Sequence, residues 1–409
     1  MTPEKIRLLQ FVTSFQIGGT ERQVVLLGRN LDRQSFDLHL ACLNRSGPFR
    51  DGVEGLGIPL VDYPIPSLHS FEAVRKCARF ASYVRRHEIE IVHTYGLYPN
   101  LFAIPPARLA RAPVIVSSIR DTGEWLTPMQ KRVQRVVCRL ADHVLVNAKA
   151  VVGRLVAEGY DAGRITVIEN GVDLSRFAGR GDRGALRREL GLAPGTPLVA
   201  VICRMHNNLE GVDLKGVRFF LEAAAILARR FESVRFLIVG DGPQRGDMER
   251  LAMDLGLQNR VVFTGFRLDI PEILSEISVA VSPSLAEAIS NSVVEAMAAG
   301  VPVVATRVGG NPEAIEDGQS GIIVPARDAE ALARPIARLL EDPALASRMG
   351  EAARRRVAER FSMESMINAT ERVYRSLAEE ARSRAGRRNT PRRQRSFPAS
   401  QDPRTISMD

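Results

Sequence analysis

Short apolar runs alternate with longer stretches of helical periodicity along the first third of the chain. Ile6–Ser14 reads as a buried strand and Glu21–Leu31 as the helix that follows it. Phe36–Leu43, Pro59–Tyr63, Ile89–Thr94, Val114–Ile119, His143–Asn147 and Ile165–Ile168 are the next strands. Phe71–His87, Pro128–Ala141 and Ala148–Glu158 fill intervals between them as helices. The alternation breaks over 173–196, which holds five glycines and a charge cluster around a short helix near Leu186–Leu190. It then restarts, with strands at Leu198–Cys203, Arg235–Val239, Val261–Phe263, Val279–Ser282, Pro302–Ala305 and Gly321–Val324. The helices of this second series are Val217–Arg230, Asp247–Leu255, Ile270–Ser275, Ser292–Ala299, Ala329–Leu340, Pro343–Arg360 and Met363–Ala378. Strands alternating with helices of this length imply right-handed βαβ units and parallel sheets covered on both faces. The fold class is therefore α/β, with two Rossmann-like doubly wound domains facing across a cleft. Such sheets bind ligands at the carboxyl ends of their strands, which places a site between the two.

Composition narrows this picture. The 409 residues are 45% hydrophobic and 25% charged, enough for two cored domains. No apolar run is long enough for a transmembrane helix, and the N-terminus has no basic start or long apolar segment of a secretory signal. Cys42, Cys77, Cys138 and Cys203 are widely spaced, as in a reduced cytoplasmic protein without disulfides or a zinc site. Of the net charge of +9, six units come from the segment after Glu380, where eight arginines face two aspartates. This 381–409 segment, almost free of apolar residues from about Arg382, is expected to be a disordered basic tail. It could contact anionic lipid as a peripheral membrane anchor or be a solvated extension. The nearly balanced body argues against a nucleic-acid partner.

Several segments at strand ends could carry chemistry. Gly18 and Gly19 follow the first strand and open a helix, so backbone could approach an anion there; a tight turn accounts for them equally well. Gly240-Asp241-Gly242 also follows a strand, but Arg245 stands where a dinucleotide fingerprint needs its third glycine. Arg204 ends the first strand of the second domain, and Lys215 precedes the next helix. Singly they are surface charges; together they could neutralise a diphosphate. In the stretch from Ser282 to Ala305, a loop carrying Glu287 leads to a helix whose start, Ser290-Asn291-Ser292, offers free N–H groups to phosphate. Carboxylates beside such a cradle repel phosphate, so Glu287 and Glu295 suit sugar and ribose hydroxyls, unless they are solvated helix-end acids. His93, ending a strand, is either a cleft group or a satisfied structural histidine.

These stretches resemble the retaining family 4 glycosyltransferases, which have the GT-B fold. The resemblance spans roughly residues 5–380. It rests on Glu287-x7-Glu295, on Val167-Ile168-Glu169-Asn170-Gly171-Val172-Asp173 with Phe177, and on Val308-Gly309-Gly310-Asn311-Pro312-Glu313. Gly18-Gly19-Thr20-Glu21 and Arg204 with Lys215-Gly216 match too. The resemblance implies that Arg204 and Lys215 bind the donor diphosphate, Glu287 the donor sugar and Glu295 the ribose. Backbone near Ser290, Asn291 and Ser292 would hold phosphate oxygens, Gly18 and Gly19 would let the donor approach, and backbone near Arg267 would meet the base. Arg120 stands where many members carry histidine, and could bind a phosphate or an acceptor hydroxyl but not act as a base.

The implied organisation is an acceptor-side domain over 1–175, a linker over 176–196 and a donor-side domain over 197–361. A helix over 362–380 crosses back to the first domain, ahead of the basic tail. The implied reaction moves a sugar, with retention, from a nucleotide-diphosphate sugar to an acceptor hydroxyl of a glycan or lipid-linked glycan of envelope or exopolysaccharide synthesis. The sequence has no D-x-D, so no metal and no further cofactor is expected. The rivals are a nucleotide-sugar epimerase on the same fold and a weakly catalytic, nucleotide-sugar-binding subunit of a polysaccharide assembly complex.

Overall fold

The computed structural model describes residues 4–179, 182, 184–205 and 211–389. The strands of the first domain are β1 (Ile6–Val12), β2 (Phe36–Cys42), β3 (Leu60–Asp62), β4 (Ile91–Tyr95), β5 (Val114–Ile119), β6 (His143–Val146) and β7 (Ile165–Val167). They form one seven-stranded sheet in the order β3-β2-β1-β4-β5-β6-β7. The second domain has β8 (Leu198–Ile202), β9 (Arg235–Val239), β10 (Val261–Gly265), β11 (Val279–Ser282), β12 (Val303–Thr306) and β13 (Ile322–Val324). Their six-stranded sheet runs β10-β9-β8-β11-β12-β13. Every paired strand is parallel. Continuous apolar runs such as Val114–Ile119 make central strands buried along their whole length, as sheets covered on both faces require. The strand order reverses between β1 and β4 and between β8 and β11. Ligands of doubly wound sheets bind outside the carboxyl ends of the strands at such reversals.

Three elements depart from the sequence expectation. Helix Leu97–Leu109 has no counterpart in the apolar pattern, because Pro105 and Pro106 interrupt it. The Cys77 thiol donates to the Phe102 carbonyl at 3.6 Å, one of the two carbonyls that the prolines leave without an amide partner. The linker is no free tether. Its helix Ala185–Glu189 buries Leu186 against the second domain, and Glu276 accepts from the Leu186 amide at 2.9 Å and pairs with Arg187 at 2.8 Å. The last helix, Met363–Asn389, runs past the end expected for it and into the segment expected to be disordered. Arg382 there clasps Glu90 of the first domain, at 2.8 and 3.0 Å. The rest of the basic tail, 390–409, lies outside the described residues, as do residues 206–210.

The chain crosses back where Val172 donates to the Phe361 carbonyl at 2.8 Å and accepts from Met363 at 2.9 Å. Met366, Ile367, Tyr374 and Ala378 of the last helix are then buried in the core of the first domain, with Leu8, Phe36 and Ile91.

Candidate active site

A cavity of about 880 Å³ opens between the two sheets at their carboxyl ends. Glu287, Arg204, Lys215, Arg120, Gly18, Gly19, Arg267, Ser290, Asn291, Ser292 and Glu295 all line it, although they come from six separate stretches. His93 does not. It is buried beneath the cleft, with Nδ1 2.5 Å from the Tyr374 hydroxyl and Nε2 2.8 Å from the Ser118 hydroxyl. It therefore ties the last helix to the first sheet as a satisfied structural histidine. Burial pushes its pKa well below the ordinary value, with the Arg120 charge adding to the shift.

On the second domain, Gly216 lets Lys215 meet Glu287. Gly216 takes a φ of 67° and packs so tightly that a Cβ would sit 2.0 Å from the Pro283 carbonyl oxygen. The Leu285 amide donates to the Leu214 carbonyl at 2.8 Å, fastening the two loops. Lys215 Nζ then lies 2.6 Å from Glu287 Oε2. Burial lowers the Lys215 pKa, but the Glu287 carboxylate more than offsets this and leaves it raised, so the ammonium stays charged. Gly240 and Gly242 serve the neighbouring loop. A Cβ on either would strike the carbonyl of Cys203 or Met205, so the glycine pair seats the Arg204 loop rather than a dinucleotide.

Glu287 is held from behind as well. The Gly310 amide donates to the Ala288 carbonyl at 2.6 Å. Glu313, three residues on, reaches across to the first domain and accepts from the Lys149 and Ala150 amides, each at 2.8 Å. The Val308–Glu313 motif thus fixes the Glu287 loop and caps helix Lys149–Ala157 of the facing domain. Helix Asn291–Ala298 begins at the cavity wall, and no side chain of its N-cap Ser290 bonds to its first amides. The Ser290 and Ser292 hydroxyls are 3.0 Å apart. The Arg267 guanidinium is committed to Asp269 at 2.6 Å and Glu189 at 2.9 Å, which leaves its backbone to meet a ligand.

Three residues that the sequence reading passed over complete the site. Arg22 pairs with the buried Glu295 across the cleft. Burial, with the nearby Arg176 charge, lowers the Arg22 pKa to about 10, and it remains a cation at neutral pH. Asn170 bridges the domains, accepting from Arg120 and donating to Asn291 Oδ1 at 2.6 Å. Asn147 lines the cavity with its Oδ1 buried and unpartnered among the described residues. Asn170 sits inside a quoted motif, Arg22 directly follows another and Asn147 ends a predicted strand, so position near a carboxyl strand end was the signal available.

Residues 17–176 match the family profile described as Glycosyltransferase Family 4, and 196–342 that of Glycosyl transferases group 1. Over 289 residues the chain is 31% identical to the GDP-mannose-dependent alpha-(1-6)-phosphatidylinositol monomannoside mannosyltransferase of Mycolicibacterium smegmatis, covering 68% of this chain and 74% of that one. The chain belongs to the family 4 glycosyltransferases. It is also 36% identical over 197 residues to an alpha-D-kanosaminyltransferase of Streptomyces kanamyceticus, a match spanning 48% of this chain and about half, 49%, of that relative. HepE of Anabaena, solved with UDP and glucose, superposes with a TM-score of 0.81 at 23% identity, over 91% of this chain and all of HepE. This likeness identifies the two-domain glycosyltransferase architecture as GT-B.

Proposed function

We propose that the chain transfers a sugar, with retention, from a nucleotide-diphosphate sugar to a hydroxyl of a glycan or lipid-linked glycan in envelope polysaccharide synthesis. One observation carries this reading: eleven residues from six stretches, nominated by diphosphate and hydroxyl chemistry and by the family resemblance, line a single cavity between two sheets. Arg204, Lys215 and the start of helix Asn291–Ala298 would stabilise the departing diphosphate as the anomeric bond breaks. Fixed donors aimed at developing charge supply several kcal/mol in such sites. Glu287, already oriented by Lys215, would accept from hydroxyls of the donor sugar, and Glu295 from the ribose. The family resemblance favours attack from the leaving-group face, with the phosphate taking the acceptor proton.

The acceptor would enter from the first domain, past Arg120 and Asn147. Its chemistry is suggested by the mannosyltransferase relative, whose name specifies a phosphatidylinositol monomannoside. No helix among the described residues is long and apolar enough to cross a membrane. We place the reaction at the cytoplasmic face of the membrane, with no metal in the mechanism. Named relatives are transferases, which favours transfer over epimerisation or binding alone. Thermal denaturation against nucleoside diphosphates and their sugars tests the reading. A ligand at about 100 times its Kd should add roughly 2.7 kcal/mol of stability. No response to any of them would overturn the reading, and reversible loss of turnover in EDTA would overturn its metal-free part.

A further inference from the structure

Large apolar side chains are exposed on one layer of the first domain. Helix Leu97–Leu109 packs between helices Phe71–Arg86 and Pro128–Cys138. Its outward positions Tyr98, Leu101, Pro105 and Leu109 are all apolar, and Leu109 is 74% exposed. On one side Phe71 (85% exposed) and Val74 stand free; on the other, Met129 (66%), Val133, Val136 and Leu140 form a stripe at helical spacing. This stripe has no role in the core, whose side of the same helix is Gln134 and Cys138.

The surroundings of the stripe are basic. The segment Pro128–Ala141 carries Lys131, Arg132, Arg135 and Arg139 and no acid. Arg132 and Arg139 are exposed beside the stripe, whereas Arg135 turns inward to the Glu158 carbonyl at 2.6 Å. Helix Phe71–Arg86 adds Arg75, Arg79, Arg85 and Arg86 on its exposed side against the single acid Glu72. An apolar surface rimmed by cations suits an interface with acyl chains below and anionic headgroups around it. A second copy of the chain suits it poorly, because a two-fold contact would set these arginines against each other.

The same segment reaches the active site. Asp121, Thr122 and Trp125 line the cavity, and Thr127 then caps the exposed helix through a reciprocal pair with Gln130, at 3.1 and 2.9 Å. We propose that this three-helix layer, rather than the basic tail, docks the protein on an anionic bilayer and presents the acceptor side of the cleft to lipid-linked substrates. Delivery of an acceptor rests on the transferase reading; the docking itself does not.

Co-sedimentation with vesicles of phosphatidylglycerol and phosphatidylcholine, against phosphatidylcholine alone, tests the surface. The full chain should bind the anionic vesicles, and Val133→Glu with Val136→Glu should weaken that binding by about tenfold or more. Met253→Glu, at a more exposed apolar site on the second domain, should leave it unchanged. Unaltered melting of both variants, and an unaltered response to nucleotides, would show that the fold and the donor site are intact. That nucleotide response also reads the transferase proposal separately. Three results would overturn the docking surface: no binding of the full chain to anionic vesicles, undiminished binding of the double variant, or a concentration-dependent dimer of the full chain that the double variant abolishes.

Discussion

The two walls of the cleft are built in different ways. The wall from the second domain is positioned by backbone pressed against backbone: Gly216 on Pro283, and Gly309 on the carbonyl of Glu287. Lys215 and Glu287 are paired within the wall itself. The wall from the first domain is made of side chains that reach outward. Arg22 crosses to Glu295, Arg120 leans on Asn170, and Asn147 keeps an unused acceptor. On the proposed reading, the wall that holds a constant diphosphate can be rigid, whereas the wall that meets varied acceptors needs adaptable groups on loops.

The sharpest way to break this contrast is to add one methyl group to the rigid wall. Gly309 has a φ of 48°, and a Cβ there would lie 1.5 Å from the Glu287 carbonyl oxygen. Gly309→Ala must displace the loop, and should cost about 3–5 kcal/mol in denaturant unfolding along with the nucleotide response. Wild-type behaviour in both would mean that the wall is not held by backbone contact. Lys215→Met comes next. It takes the Lys215 ammonium away from the half-buried Glu287 carboxylate, and a charge from the proposed diphosphate site. Turnover should fall by about a hundredfold, roughly 3 kcal/mol. Glu287→Gln, which keeps a hydrogen-bonding partner for Lys215, should lose turnover with less loss of stability. Near-wild-type turnover in both variants would remove this pair from the mechanism.

The same contrast explains what could be read from the chain. Backbone demands leave marks in sequence: a glycine where a Cβ would collide, a continuous apolar run where a strand is buried on both faces, a Glu-x7-Glu spacing that straddles a helix start. The second-domain wall was legible for that reason. The first-domain residues Arg22, Asn170 and Asn147 were not, because their partners or their function lie across the cleft, more than a hundred residues away for the Asn170–Asn291 and Arg22–Glu295 pairs. Helix Leu97–Leu109 was hidden by a proline pair whose cost is offset by burial between two neighbours. The helical start of the basic segment was hidden because Arg382 finds Glu90 only in the folded protein.

Two smaller effects sharpen the first-domain side. Arg22→Gln should weaken donor binding by about tenfold, roughly 1.4 kcal/mol, since the buried Glu295 would lose its paired cation. Arg22→Lys should recover part of it in the same titration. Asn147→Ala should raise the acceptor KM by about fivefold, near 1 kcal/mol, with donor affinity unchanged. A change in donor affinity instead would move Asn147 to the other wall.

Proton titration separates the two domains most gently. His93 is buried neutral in the first domain, and His39 and His143 are also depressed below the ordinary histidine value by burial. A histidine with a depressed folded pKa binds protons first in the unfolded chain. Stability is therefore intact above the ordinary histidine value, about 6.5, and declines as pH falls below it. For His93 alone the loss should be about 1 kcal/mol between pH 6.5 and 5.5. Lys215 has the opposite sign. Its raised pKa contributes stability that is complete below the ordinary lysine value, about 10.5, and is lost as pH rises through the folded value. Denaturant unfolding across pH should show His93→Gln flattening the acid limb and Lys215→Met flattening the alkaline limb, neither touching the other. If His93→Gln left the acid limb as steep as before, the histidine would already be charged in the folded protein. The bond between Tyr374 and the first sheet would then need a different donor.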